Sequence, residues 1–174
     1  MIDGRYRDPI IKLLIEKLEE FGPKELVKNY YYGNPIIIGQ NEKILPAGFI
    51  SFLTSQTVKA SSDRDRTINQ YEINIATLIK KDWLNTGRSV QSHMTLLDWC
   101  QGRNADMNLK ENSILYILRK FEVLDGANKL YIDMNTATQV RLFPGIEARG
   151  PGMFTYEATI TFNVIKEQIR PSFL

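Results

Sequence analysis

The feature that most constrains the fold is an alternating run near the end of the chain. Apolar or aromatic side chains occupy one set of alternate positions and mostly polar ones the other. The first set is Phe154, Tyr156, Ala158, Ile160, Phe162 and Val164, and the second is Thr155, Glu157, Thr159, Thr161 and Asn163. Because successive side chains of a β-strand point to opposite faces, this run predicts a strand with one face on a core.

A pair of extended segments is predicted upstream. Residues 47–60, AGFISFLTSQTVKA, are rich in Phe, Ile, Thr and Val, and residues 69–79, NQYEINIATLI, alternate apolar and polar side chains. Two extended runs joined by a short polar loop predict a long antiparallel hairpin. Its tip is predicted to carry four charges of alternating sign, Asp63, Arg64, Asp65 and Arg66.

A first helix is predicted between Asp8-Pro9 and Gly22-Pro23. Asp is a good N-cap, Pro is favoured at the first helical position, and the apolar residues between them recur at helical spacing. A short helical turn is predicted within residues 23–31. Residues 35–39, PIIIG, predict a short edge or entry strand because the run begins at a proline.

Two central helices are predicted before the chain returns to strands. The first follows a Ser89 cap and ends at Gly102, with Val90, Met94 and Leu97 on one stripe. The second follows Asn108, with Glu111 three residues on as a variant capping box, and closes at an Asp125-Gly126 turn. Residues 137–154, with Pro144-Gly145 and Gly150-Pro151-Gly152, predict two extended arms around a loop.

The order helix, strands, helices, strands predicts an α+β fold. We expect an antiparallel β-sheet with a long hairpin, packed against an N-terminal helix and central helices, in a single domain over 1–174. The 174 residues, 43% apolar and 24% charged, suit one globular domain. A net charge of +2 indicates neither a nucleic-acid nor a membrane partner. The single cysteine and the absence of a signal pattern or apolar span predict a protein made in the cytoplasm.

Asp63 and Asp65 are the candidates for metal chemistry. A calcium loop starting at Asp63 needs Gly at its sixth position and Glu at its twelfth, but the sequence has Ile68 and Asn74 there. The pattern therefore favours a solvated, self-neutralised loop over a metal site, and neither a metal nor a cofactor is predicted.

The other candidate functional residues can each be explained either by a chemical role or by a purely structural one. Cys100 and His93 could form a nucleophile pair on one helical face, or could be a packing cysteine and a surface histidine. Gly150-Pro151-Gly152 lacks the spacing of a phosphate loop and favours a turn. The aromatic run Tyr30-Tyr31-Tyr32 could stack on bases, or could pack the first helix onto the sheet. No catalytic residues are predicted, and the chain is not expected to be an enzyme.

The order of these segments resembles the tail terminator (neck) proteins of tailed bacteriophages. An amphipathic helix leads to a proline before a long strand (ILPAGFISFL), a paired alternating strand follows (NQYEINIATLI), and helices precede a late alternating strand (FTYEATITFNV). The resemblance covers most of the chain and rests on this arrangement. It implies a non-enzymatic ring, commonly hexameric, that caps the tail tube and joins it to the head connector.

The resemblance also implies where the protein works and what it contacts. It would be a virion protein of the tail or neck, assembled in the host cytoplasm, that contacts further copies of itself, a tail tube or sheath protein and a head connector or stopper protein. DNA would at most pass through the ring, with no membrane partner.

Predicted exposure supplies the candidate contact residues. They are the hairpin tip and the loop 147–153: Asp63, Arg64, Asp65, Arg66, Glu147, Arg149 and Met153. Two alternatives stay open at the level of sequence. One is another head–tail adaptor or head-completion protein. The other is a small nucleic-acid-processing enzyme with a site at Asp63 and Asp65, or at Cys100 and His93.

Overall fold

A computed structural model describes residues 8–33, 45–61, 63–79, 89–126, 128–135, 138–147 and 154–169. These residues form helices on a large sheet, so the broad α+β prediction is confirmed. The elements in chain order are α1 (Pro9–Phe21), a 3-10 turn (Lys24–Leu26), β1 (Tyr30–Tyr32), β2 (Ala47–Lys59), β3 (Arg64–Ile79), α2 (Ser89–Gln101), α3 (Ile114–Lys120), β4 (Glu122–Asp125), β5 (Asn128–Ile132), β6 (Gln139–Glu147) and β7 (Phe154–Ile169).

The seven-stranded sheet has the order β1-β2-β3-β7-β5-β4, and β6 pairs with β7 beside this path. β2 pairs with β3, and β3 with β7, in antiparallel register along most of their lengths. β1 is parallel to β2, so the expectation of a purely antiparallel sheet is wrong at this edge. A run of three tyrosines is too short for its spacing to reveal a strand, and the residues just before it favour a helical turn.

Two different strands pair with β7 on the side away from β3, and this divides the sheet into two regions along the strand direction. β6 pairs with residues 154–161 of β7, whereas β5 pairs with residues 164–167. We call the part made of residues 52–59, 64–71 and 162–169 with β5 and β4 the arm region. The remainder, with β1 and β6 at its edges, is the body region.

The core lies between the three helices and one face of the sheet, mostly in the body region and extending into the adjoining part of the arm region. The predicted alternation of β3 and β7 is confirmed, because their apolar positions face the helices. The sheet contributes Ile50, Tyr71, Ile73, Ile75, Tyr156, Ala158, Ile160, Phe162 and Val164, and the helices contribute Ile11, Leu14, Leu18, Leu96, Cys100, Ile114 and Leu118. On the opposite face of β7, Thr155, Glu157 and Thr159 are buried too. Hydrogen bonds accompany this burial, from Thr155 Oγ1 to Glu157 and from Asn74 Nδ2 to Thr159.

The start of α1 confirms the sequence signal and ties the helix to the sheet. One carboxylate oxygen of Asp8 accepts from the backbone N–H of Ile10 at 2.9 Å and of Ile11 at 3.4 Å. The other oxygen accepts from the hydroxyl of the buried Tyr71 at 2.8 Å. A single side chain therefore caps the helix and fixes it to β3.

The central helices form, but two details of their prediction are wrong. Met94 is exposed on α2, and among the side chains of this helix that the structure describes, the buried ones are Leu96, Trp99 and Cys100. The cap of α3 is Ser113, whose hydroxyl accepts from the N–H of Tyr116, and not Asn108 with Glu111. Asn108 is not the cap because α3 begins only at Ile114, and its N–H donates to the Asn104 side chain within a tight loop.

The second central helix ends at Lys120, and a strand follows where the helical spacing predicted that the helix would continue. Residues 122–125 pair with residues 128–131 as a short hairpin, with Gly126 at a φ of 57° in the turn predicted there. β6 runs through Pro144-Gly145, with a register shift between Phe143 and Ile146 that absorbs them. The predicted strand at 35–39 lies outside the described residues.

Candidate subunit interface

The charged tetrad is not confined to the hairpin tip. Asp63 lies in the turn, where the N–H groups of Ala60 and Ser61 donate to the carbonyl of Arg64 and the Ser61 hydroxyl donates to Asp63 at 2.7 Å. Arg64, Asp65 and Arg66 are already in β3, paired with β7 and, from Asp65, with β2 as well. Their predicted position in a loop is therefore wrong. The prediction failed because β2 and β7 extend as far as this end of β3 and form backbone hydrogen bonds with it. The polar composition of the tetrad gave no sign of these partners.

Strand alternation separates the charges by sign. Arg64 and Arg66 project from the face of the sheet that lies away from the helices, whereas Asp65 shares the face of Tyr71. The arm region therefore presents two arginines, two positions apart, on one surface.

Arg66 is held by a carboxylate of the neighbouring strand. Its Nε and Nη2 atoms donate to Glu167 Oε1 at 3.1 Å and 2.8 Å. The hydroxyl of Tyr131, on β5, donates to the same oxygen at 3.0 Å. The pairing of β3, β7 and β5 thus brings together three side chains that are distant in sequence, and Glu167 and Tyr131 were not singled out from sequence. The only local indication of Glu167 was its place in the alternating pattern of β7, on the same face as Thr159 and Thr161. The predicted alternation ended at Val164, before Glu167.

The same surface continues to the far edge of the sheet. Lys129 Nζ lies 2.7 Å from Glu122 Oε1 and 5.1 Å from the centre of the Tyr131 ring. The hydrogen bond with Glu122 raises the pKa of Lys129. Charges of alternating sign therefore form a row across β3, β7, β5 and β4, which we call the charged row: Arg66, Glu167, Lys129 and Glu122.

The hydrogen bond from Arg66 favours the ionised form of Glu167. The Arg66 guanidinium lowers the pKa of Glu167 below its ordinary 4.5, and partial burial opposes this effect. Burial raises the pKa of Tyr131, and its hydrogen bond to Glu167 adds to the shift. Glu167 therefore stays ionised at neutral pH and orients Arg66 as a fixed, partly exposed cation.

Glu167→Gln is expected to destabilise the protein by about 1 kcal/mol at pH 7, a modest value because the Arg66 side chain is 42% exposed. Since the folded-state pKa of Glu167 is depressed, its stabilisation is present above 4.5 and is lost as the pH falls through the folded value. Urea unfolding at several pH values measures the difference from wild type. Glu16→Gln, in an exposed helical pair with Lys12, is the matched control. A difference from wild type that persists unchanged at pH 3 would contradict this role of Glu167.

The other candidate contacts lie at the opposite end of β7. Glu147 ends β6 and pairs with Phe154 at the start of β7, whereas Arg64 pairs with Ile169 at its end. The structure therefore does not bring the two candidate segments into one site. Arg149 and Met153 lie outside the described residues.

The candidate nucleophile pair is engaged in packing. Cys100 is fully buried, and burial raises its pKa to about 12, so the thiol stays protonated at neutral pH. His93 is half-buried, its Nδ1 lies 2.7 Å from the Tyr156 hydroxyl, and the two rings meet edge to face. Across the described residues, no group of three or more His, Cys, Asp or Glu side chains is placed to hold a metal ion.

Among the described helices, none has the length and apolar character that a bilayer crossing requires. Comparison of the sequence with protein-family models gave no match, and neither did comparison with curated proteins.

Proposed function

We propose that the chain is a structural subunit of a tail terminator, or neck, ring in a tailed bacteriophage. The observation that carries the proposal is the arm region. There β2 continues past the core with exposed side chains from Phe52 to Thr57, supported by β3 and β7. Such a surface suits extended contacts between proteins. The order of elements also resembles that of the terminator proteins.

A ring of identical subunits requires two different surfaces that complement each other. The chain offers candidate surfaces at opposite ends of β7, near Arg64 and near Glu147. The charged row supports a contact with defined register, because Glu167 orders Arg66 before any partner arrives. Ordering a long side chain in advance reduces the entropy lost on association.

In this proposal the subunit performs no catalysis. It assembles with copies of itself, commonly as a hexamer, in the host cytoplasm and becomes part of the virion. One side of the ring meets the tail tube or sheath, the other meets the head connector or stopper, and DNA passes through the lumen. The long paired strands β2, β3 and β7 would form the wall of such a ring.

Charge reversal at Arg64 tests this proposal. We expect Arg64→Glu to lower incorporation of the protein into phage particles at least about tenfold, because a contact worth about 1.4 kcal/mol changes an equilibrium tenfold. Quantitative mass spectrometry of purified particles measures incorporation. Lys24→Glu, the same charge change on the exposed 3-10 turn, is the matched control and should be incorporated normally. Absence of the wild-type protein from particles would contradict the proposal.

A further inference from the structure

Among the described strands, β1 covers part of the outer edge of β2. β1 pairs with Gly48–Ile50, and beyond Ile50 no described strand pairs with this edge. Phe52 is 43% exposed, and Leu53, at the bulge that follows it, is 46% exposed. A strand edge flanked by large exposed apolar side chains is a template for a further strand.

The backbone groups on this edge can be assigned. The Gly48 N–H donates outward to Asn29, and the Ile50 carbonyl accepts from Gly33, so alternate residues from Gly48 face the edge. A bulge between Phe52 and Thr54 then shifts the alternation by one residue. The N–H and C=O groups of Phe52, Ser55 and Thr57 therefore point away from β3.

The other outer edge of the arm region is β4. Pairing through β3, β7 and β5 places Glu122, Val123 and Leu124 level with Gln56, Thr57 and Val58 of β2, beyond the residues that pair with β1. Successive antiparallel pairs make β2, β7 and β4 run in one direction. Leu124 on β4 is 69% exposed, on the face away from the helices.

We propose that β4 of a second copy of this chain pairs in parallel with the outer edge of β2 beyond Ile50. The sheet then continues from one subunit to the next, with the incoming strand following β1 along the same edge. Placing Val123 beside Phe52 matches the two side chains on the helix face and brings Leu124 next to Leu53. This register joins the large exposed apolar side chains of the two edges and displaces neighbouring copies along the strands. The pairing covers exposed apolar surface at both edges of the arm region.

Because β2 and β4 are different surfaces, the contact is heterologous and can be repeated from copy to copy. Its closure into a ring rests on the proposed function, whereas the pairing itself does not. A two-fold contact between two β2 edges is the competing arrangement and would be antiparallel.

Disulfide trapping tests the pairing directly. Leu53 and Leu124 of one chain are separated by four strand spacings, about 19 Å, too far for an internal disulfide. We expect the double variant Leu53→Cys with Leu124→Cys, oxidised in purified protein and in particles, to give a ladder of covalent multimers on non-reducing gels. Each single variant should stay monomeric on the same gels, since Cys100 is buried. No ladder in either preparation, or covalent dimers of Leu53→Cys alone, would overturn the inference.

Backbone and side-chain variants provide a second readout by light scattering. Ser55→Pro removes an outward N–H without breaking the β2–β3 ladder, so we expect loss of the oligomer with an unchanged circular dichroism spectrum. Ser55→Ala keeps that N–H and should assemble normally. Leu124→Lys should abolish assembly, whereas Met94→Lys, an exposed site on α2, should not. Assembly of Ser55→Pro at wild-type levels would contradict the pairing.

These outcomes separate the two proposals. Wild-type protein present in particles, with no covalent ladder from the double variant, would overturn the pairing and leave the proposed function standing. A covalent ladder from a protein that is absent from particles would do the reverse.

Discussion

Asp8→Ala is expected to lower the free energy of unfolding by about 2–3 kcal/mol. The substitution removes the N-cap of α1, which leaves the N–H groups of Ile10 and Ile11 without their side-chain acceptor. It also removes the acceptor of the Tyr71 hydroxyl, on a side chain that is buried in the core. The two losses add because different oxygens of the same carboxylate serve them.

Tyr71→Phe separates the two contributions. It keeps the cap and removes only the hydroxyl, so we expect a loss of about 1 kcal/mol. The double variant should be less destabilised than the sum of the single variants by about 1 kcal/mol, because both members of one hydrogen bond are then absent. Urea unfolding followed by circular dichroism gives all the values. An Asp8→Ala variant within about 0.5 kcal/mol of wild type, well below the roughly 1 kcal/mol of an ordinary cap, would contradict this account.

Gly48→Val is expected to destabilise the protein by about 3 kcal/mol or more. A Cβ atom at Gly48 would lie 2.6 Å from Tyr30 Cδ1 and 2.7 Å from its Cε1. Tyr30 is itself buried, and its hydroxyl oxygen would lie 3.4 Å from a Cβ at Gly22. The ring therefore fits between two glycines and cannot move aside without disturbing the α1 contact.

The Tyr30→Ala background tests this explanation of Gly48. There the ring is absent, so adding Gly48→Ala should cost at least about 1 kcal/mol less than it does in the wild-type protein. Thermal unfolding of the four proteins gives the coupling energy. Equal costs of Gly48→Ala in the two backgrounds would show that Tyr30 is not the constraint.

Local signals predicted the elements whose physics is local. Asp8-Pro9 and Gly22-Pro23 bound α1 because capping and proline preferences act within a few residues. The alternation in β3 and β7 identified their core faces because a single face is apolar. In contrast, β1 depends on the fit of Tyr30 against Gly48. This contact joins two separate segments, so the spacing of residues within either segment cannot reveal it. The β4–β5 hairpin was missed because Phe121 and Leu124 continue the helical spacing of α3.

The candidate surface likewise combines residues that the local sequence indicated with residues that only the tertiary fold brings together. Sequence drew attention to Arg64 and Arg66, yet their placement in a strand depends on β7 extending to Ile169. Glu167, Tyr131 and Lys129 join Arg66 only through the order of the strands, and no local pattern carries strand order. The opposite charges of the tetrad suggested pairing among themselves. Arg66 instead pairs with Glu167, 101 residues away.

The proposed role in joining tail to head is tested most directly by deleting the gene from a phage that carries it. Electron microscopy of lysates should then show heads and tails that accumulate separately, and the wild-type gene supplied in trans should restore joined particles. Rescue by Lys24→Glu but not by Arg64→Glu would tie the defect to the arm region. Intact, joined and infectious particles in the absence of the protein would contradict the account.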